Sequence, residues 1–269
     1  MSPGPGSTDV AAPAPDRRPG PASAWRAAAQ GPRLLAFDTS TEVLAVALVV
    51  QQQVFVHEEP GGARASVRLL PVIRELLESA GLSVSDLDAI AFGRGPGAFT
   101  GLRTSCAVAQ GLAFGAGCPV LPLDSLCLVA EDARPASGTP CEVRVATDAR
   151  MDEIYAAAYR WDGERWHVQV APALLDAPTW RARWGTPLHG LLAGSAVTLH
   201  DLAAVCPGAE VRAHEGSRSA ALGRLARQAW RDGMAVDPAR ALPTYVRDKV
   251  AQTTAEREAA RARPPEPGR

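Results

Sequence analysis

The residue types able to carry chemistry in this chain fall into a few short clusters. Phe37-Asp38-Thr39-Ser40-Thr41 sets an acid and three hydroxyls directly after an apolar run. At a strand end such a turn can orient a Mg²⁺-bound phosphate, or its Asp can cap the amides of a hairpin. The commoner phosphate turn uses glycine to bring backbone close to the anion, and no glycine lies between Asp38 and Glu42. The second cluster is Gly93-Arg94-Gly95-Pro96-Gly97-Ala98-Phe99-Thr100-Gly101, with four glycines in nine residues ahead of a helical segment. It matches neither the P-loop nor the dinucleotide fingerprint, because no Lys follows and no acid stands about 20 residues on. A partner surface and a residual ligand site both remain open for it. Asp148, with Asp152 and Glu153, is a third acidic group, able to hold a cation or to be a solvated turn.

Other chemistry finds little support. The five histidines, at 57, 167, 189, 200 and 214, form no HxxH, HxxxH or HExxH pattern, so a zinc or iron site of the usual kind is not expected. Gly194-Ser195 is not the elbow of a serine hydrolase. The five cysteines (106, 118, 127, 141 and 206) include no CxxC, and their odd number fits a reduced, cytoplasmic protein. With 28 Lys+Arg against 29 Asp+Glu and few aromatics, the 269-residue chain is no strongly basic nucleic-acid binder. No run of 18 apolar residues is present, and MSPGPGSTDV lacks the apolar centre of a signal peptide.

The elements that must position these clusters can be read from periodicity. Apolar runs at 33–37, 43–50 and 54–57, separated by short polar breaks, describe an antiparallel meander. Residues 66–80 place Leu70, Ile73 and Leu77 at helical spacing, with Pro71 either near the first turn or at a bend. A buried strand at 87–92 leads into the glycine-rich loop and a small-residue helix from about 102 to 116. Gly111 within it costs about 1 kcal/mol relative to Ala, which a closely approaching backbone would explain. Strands at 142–147, 152–160 and 166–170 repeat the meander after a Pro/Gly-rich boundary at 133–140, and a helix follows at 219–231. These segments predict an α/β fold of two related halves, 33–135 and 141–248. A proline-rich extension at 1–32 and a tail at 249–269 are expected to be disordered or flexible.

Taken together, Phe37-Asp38-Thr39-Ser40, Leu69-Leu70-Pro71, the block Gly93 to Arg103 and Ala109-Gln110-Gly111-Leu112-Ala113-Phe114-Gly115 resemble the bacterial TsaB (YeaZ) family. Thr147 to Tyr155 and Pro243-Thr244-Tyr245-Val246-Arg247 extend the likeness to residues 33–248. The resemblance implies an actin/Hsp70/sugar-kinase-like (ASKHA) fold of two related halves. It implies a non-catalytic subunit, with no cofactor of its own, that activates TsaD for N6-threonylcarbamoylation of adenosine 37 in tRNAs reading ANN codons. TsaD is expected to bind the metal, TsaE to be an accessory ATPase, and the free chain to form a homodimer. Any tRNA contact would be made through the complex. Where members of this family often carry a His before Leu-Leu-Pro, this chain has Ala65.

The family's partner contact lies on the N-terminal helices, which makes Arg68, Leu69, Leu70, Ile73, Leu77, Leu102, Cys106, Ala109 and Ala113 the expected interface. The alternative reading of the same periodicity is packing against the chain's own sheet. Gly93, Arg94, Gly95, Gly97 and Gly101 are expected to form a structural loop, while Asp38, Thr39, Ser40 and Asp148 are the candidates for a vestigial nucleotide site that would bind nucleotide weakly. Two further readings compete: an independent ASKHA enzyme acting on ATP through Asp38, Asp148 and Mg²⁺, and a peptidase, for which no nucleophile and base are apparent.

Overall fold

A computed structural model describes residues 31–213 and 216–247. The extensions expected at 1–32 and 249–269 lie, apart from Gly31 and Pro32, outside the described residues. The meander forms as its alternating runs require: β1 (Arg33–Asp38), β2 (Val43–Val50) and β3 (Gln53–Pro60) pair antiparallel in sequence order. Helix α1 (Ala65–Ser79) then leads to β4 (Ala89–Gly95), helix α2 (Phe99–Ala116), β5 (Val120–Asp124) and helix α3 (Ser125–Ala133). Strands β4 and β5 add parallel to β1, giving a first sheet of order β3-β2-β1-β4-β5.

The second half repeats this plan. Strands β6 (Cys141–Asp148), β7 (Glu153–Trp161) and β8 (Trp166–Asp176) form an antiparallel meander. Helix α4 (Ala177–Trp184), β9 (Leu191–Ala193), the one-turn α5 (Ala196–Leu199) and β10 (Glu210–Arg212) follow. The sheet order β10-β9-β6-β7-β8, with β9 parallel to β6 and β10 parallel to β9, matches the first sheet strand for strand. Helix α6 (Arg218–Arg231) is the last helix among the described residues longer than one turn.

Three apolar clusters order the layers. The outer face of the first sheet packs on α1 and α2 through Leu69, Ile73, Cys106 and Ala109. The outer face of the second sheet packs on α4 and α5 through Trp180, Trp184 and Val197. Between the sheets, α3 and α6 share one core built on Leu126, Leu128, Leu222 and Ala226. Helix α6 lies mainly against β1, β2 and β3, and α3 against β6, β7 and β9, so each half lends a helix to the other's sheet. Pro71 stands inside α1, not at its first turn. The sequence reading lacked α4, α5 and β10. Asp176 as N-cap followed by Ala177-Pro178 is the start signal that marks α4.

Candidate functional site

The β1–β2 turn is buried at the centre of the molecule. Asp38, Thr39 and Ser40 are almost wholly excluded from solvent. Asp38 Oδ1 accepts the Ser40 amide at 2.5 Å, and Oδ2 accepts the Ser125 hydroxyl at 2.9 Å and the Arg218 guanidinium at 3.1 Å. Arg218 also donates to Ser40 Oγ at 3.2 Å, while the Thr39 hydroxyl donates to the Gly101 carbonyl at 2.7 Å. Both Asp38 oxygens are thus committed to groups of the chain. This donor set does not fit a resident Mg²⁺-nucleotide, which would need the ion pair opened. Arg218 was not apparent from the sequence. Its one signal is a cation at the first position of a helix, where the macrodipole disfavours positive charge, and a buried anion supplies the reason.

The glycine-rich loop lies flat on this turn. A Cβ on Gly93 would overlap the Asp38 carboxylate, and one on Gly101 would overlap the Thr39 carbonyl oxygen. Ala98 N–H donates to Ser40 O at 2.7 Å, and Gly95 N–H to Ser125 Oγ at 3.1 Å. The glycines are therefore required for close packing against Asp38–Ser40. Arg94 turns its side chain outward, and its carbonyl accepts the Thr244 amide at 2.6 Å.

Asp148 sits at the matching turn of the second sheet. It accepts the Arg150 amide at 2.8 Å, pairs with the Arg150 guanidinium at 3.3 Å, and its own amide donates to Ser195 Oγ at 3.0 Å. Arg150 reaches across to Glu42 at 2.9 Å. Arg150, Met151 and Asp152 take left-handed φ of 64°, 58° and 59°, making the tight turn into β7. Between the turns lies a cleft of about 750 Å³, lined by Ser40 and Phe99 on one wall and Thr147 and Ser195 on the other. Tyr245 and Arg247 close its third side. Tyr245 stacks on Phe99 at 5.1 Å, and Arg247 donates to the Ala149 carbonyl at 2.8 Å and to Glu153 at 2.5 Å.

Among the described residues no three His, Cys, Asp or Glu side chains are grouped to hold a metal. His57 pairs with Glu59 and His167 with Asp162, well apart in the sequence. Burial pushes the Cys118 thiol up to about 11 and raises that of Cys127 well above its ordinary value, which keeps both protonated at neutral pH.

The helical residues expected at a partner interface require a correction. Leu69, Ile73 and Leu77 on α1, and Leu102, Cys106, Ala109 and Ala113 on α2, are buried in the chain's own core. The apolar stripe of each helix is satisfied by the first sheet, as amphipathic packing dictates. Arg68 is half-buried and held by Glu59 at 2.7 Å. Only Leu70, 49% exposed, presents a large apolar side chain to solvent from the expected set. The outward faces instead carry Val67 on α1 and Phe114 on α2, 68% and 61% exposed, together with exposed Ala107 and Gly111 of α2. A Cβ on Gly111 or Gly115 would meet nothing within 4 Å. These positions are the complement of the apolar stripe, and that complement was the signal to read.

Comparison with known proteins agrees with this architecture. The family model described as TsaD, tRNA N6-adenosine threonylcarbamoyltransferase, matches residues 44–187. The tRNA threonylcarbamoyladenosine biosynthesis protein TsaB of Escherichia coli is 40% identical over 144 residues, 53% of this chain and 62% of the relative. TsaB of Haemophilus influenzae is 45% identical over 45% of this chain and 51% of its own. The chain thus spans between about half and two thirds of these two curated relatives. An uncharacterized protein of Mycobacterium tuberculosis is 33% identical over 80% of this chain and 91% of its own length. The solved structure of YeaZ from Pseudomonas aeruginosa, 36% identical, superposes with a TM-score of 0.69 over 80% of this chain and 99% of that one. On this coverage and identity, the chain belongs to the TsaB (YeaZ) family.

Proposed function

We propose that this protein is a non-catalytic partner subunit of a TsaD-type protein, needed for N6-threonylcarbamoylation of adenosine 37 in tRNAs reading ANN codons. The observation that carries the reading is the outward face of α1 and α2. Gly111 stands in mid-helix with nothing from the other described elements within 4 Å of its missing side chain, exposed Phe114 follows one turn on, and α1 presents exposed Leu70 and Val67. Glycine there costs about 1 kcal/mol relative to alanine, and a backbone packed close against α2 from a second chain offsets it. The likeness to proteins named for tRNA threonylcarbamoyladenosine biosynthesis supports the same reading.

In this proposal the duplicated sheets, divided as 33–135 and 141–248, form an ASKHA fold whose first half docks TsaD. The free chain forms a homodimer through the same face, TsaE joins the complex as its ATPase, and tRNA is met only through the assembly, in the cytoplasm. The subunit needs no cofactor, and the metal belongs to TsaD. The alternative, an independent ATP-consuming enzyme, has no support from Asp38, whose oxygens are already bonded to Ser40, Ser125 and Arg218.

Size-exclusion chromatography with light scattering, on the full chain alone and mixed with TsaD from the same organism, tests the proposal. A homodimer converting to a heterodimer of one chain each is expected, as is failure of the isolated chain to turn over ATP. No association with or without nucleotide would reject the partner role.

A further inference from the structure

We infer that the docking surface does not end at the two helices but continues onto the C-terminal strap, Met234 to Arg247, with Leu242 as its apolar contact for the TsaD-type subunit. The inference rests on the partner role proposed above.

The strap is anchored along one flank of α2. Val236 pairs with Val120 through two backbone hydrogen bonds of 2.9 and 3.0 Å. The Gln110 amide donates to the carbonyls of Pro238 and Ala241 at 3.0 and 3.1 Å, and the Cys106 thiol lies 3.4 Å from the same Ala241 oxygen. Thr244 is fixed to Arg94, and the Tyr245 hydroxyl accepts from Arg103 at 3.2 Å.

At 100° per residue, Arg103, Cys106 and Gln110 form one flank of α2, while Ala109 and Ala113 face the sheet and Ala107, Gly111 and Phe114 point outward. Val108 and Leu112, partly buried in the same core as α1, lie on the opposite flank. The outward face of α2 thus runs between exposed residues of α1 on one side and the strap on the other. Leu242 follows buried Ala241 yet is itself 70% exposed. Its backbone neighbours are hydrogen-bonded in place, so a large apolar side chain is held out to solvent by a fixed main chain.

The area needed for a stable pair points the same way. Helices of 15 and 18 residues lying side by side present an outline on the order of 500 Å². A standard interface covers about 800 Å² per partner. The strap is the adjoining strip, and it adds Leu242 and Tyr245 beside the flank of α2 formed by Arg103, Cys106 and Gln110.

The test measures the affinity of the full chain for TsaD from the same organism by titration calorimetry, using Leu70→Asp, Leu242→Asp and, on the far sheet edge, Val168→Asp. Leu70→Asp and Leu242→Asp are each expected to weaken binding roughly tenfold or more, and Val168→Asp to leave it within about twofold. Normal binding by Leu242→Asp beside a weakened Leu70→Asp overturns the strap and leaves the helical docking face standing. Normal binding by both, or no binding by the parent chain, rejects the helical face and the strap together. An effect of Leu242→Asp on self-association alone assigns the strap to a second copy of this chain and also overturns the inference. Thermal melts accompany each variant, and Leu242→Ser, expected to weaken binding in the same direction, replaces the aspartate if its melt shows a loss of fold.

Discussion

At the scale of single residues, the centre of this protein is held by charge buried in pairs. Asp38 and Arg218 are both excluded from water and lie 3.1 Å apart, joining the first sheet's central strand to the start of α6. Removing one partner of such a pair strands the other in a low-dielectric site, a cost of about 3–5 kcal/mol. Arg218→Leu is therefore expected to lose stability of that order in urea unfolding. A loss below about 1 kcal/mol would mean that Ser125 and Ser40 alone suffice for Asp38. The Asp38 turn was legible in the sequence as a special site, but its partner was not, because 180 residues separate the two. A surface pair gives a pH signature instead. Hydrogen bonds from Arg68 and then His57 hold the Glu59 carboxyl down from the usual 4.5 to about 2. The folded state thus favours ionised Glu59, and its contribution is complete above pH 4.5 and lost as the pH falls from there toward 2. Glu59→Gln should flatten this part of the acid limb in melting curves taken between pH 6 and 2.5. An unchanged slope would show that the pairing with Arg68 is not kept in solution.

At the scale of elements, local pattern and burial were legible to different degrees. The meander was readable because runs such as Val43 to Val50 are apolar and separated by short polar breaks; its repetition was readable at 142–147, 152–160 and 166–170 from the turn at Asp162-Gly163, and the last strand runs on to Asp176. Helix α2 was equally apparent from its small residues. Which face it shows to solvent was not, since the stripe Leu102, Cys106, Ala109 and Ala113 fits a neighbouring chain as well as its own sheet. Only the structure separates the two, by burying that stripe against β4 and leaving Ala107 and Gly111 uncovered. The packing of α6 on the first sheet had no local signal at all, being a contact between chain segments far apart. Helix α1 offers a direct test. Pro71 is its seventh residue and cannot donate to the Val67 carbonyl one turn back. Pro costs about 3 kcal/mol in a helix interior relative to Ala, offset by about 0.4–1 kcal/mol from its stiffening of the unfolded chain. Pro71→Ala should accordingly raise stability by roughly 2 kcal/mol in chemical denaturation. A loss would mean that ring contacts at Pro71 outweigh the missing hydrogen bond.

Across the whole molecule, the two sheets are joined unequally on opposite sides of the central layer. On the side of α3 the joints are buried. Glu131, 2% exposed, accepts from Arg134 and Arg224 and from the Trp166 indole N–H at 2.8 Å, tying α3 to α6 and β8. Tyr159 donates to Asp124 at 2.8 Å beside it. At the cleft mouth the joint is Arg150 to Glu42, with side chains 68% and 76% exposed. Exposed pairs contribute little, about 0–1 kcal/mol, and are screened by salt. Hydrogen bonds to a buried charge contribute about 1.5–3 kcal/mol, and their loss leaves the donors without a partner. Any relative movement of the halves should therefore open the mouth and pivot on α3 and α6. Glu131→Ala is expected to lower stability by about 2–3 kcal/mol, the freed Arg224 being able to reach water. Arg150→Ala should change it by less than about 0.5 kcal/mol in 0.15 M salt. Tryptophan fluorescence and far-UV dichroism, followed together through urea unfolding, distinguish the two joints. In Glu131→Ala the emission, which includes Trp166, should change at lower urea than the backbone signal, because the second sheet loses its hold on the central layer. In Arg150→Ala the two curves should coincide. Coincident curves in both variants would place the cohesion of the halves in the shared apolar core of α3 and α6, with Glu131 serving only to neutralise its arginines.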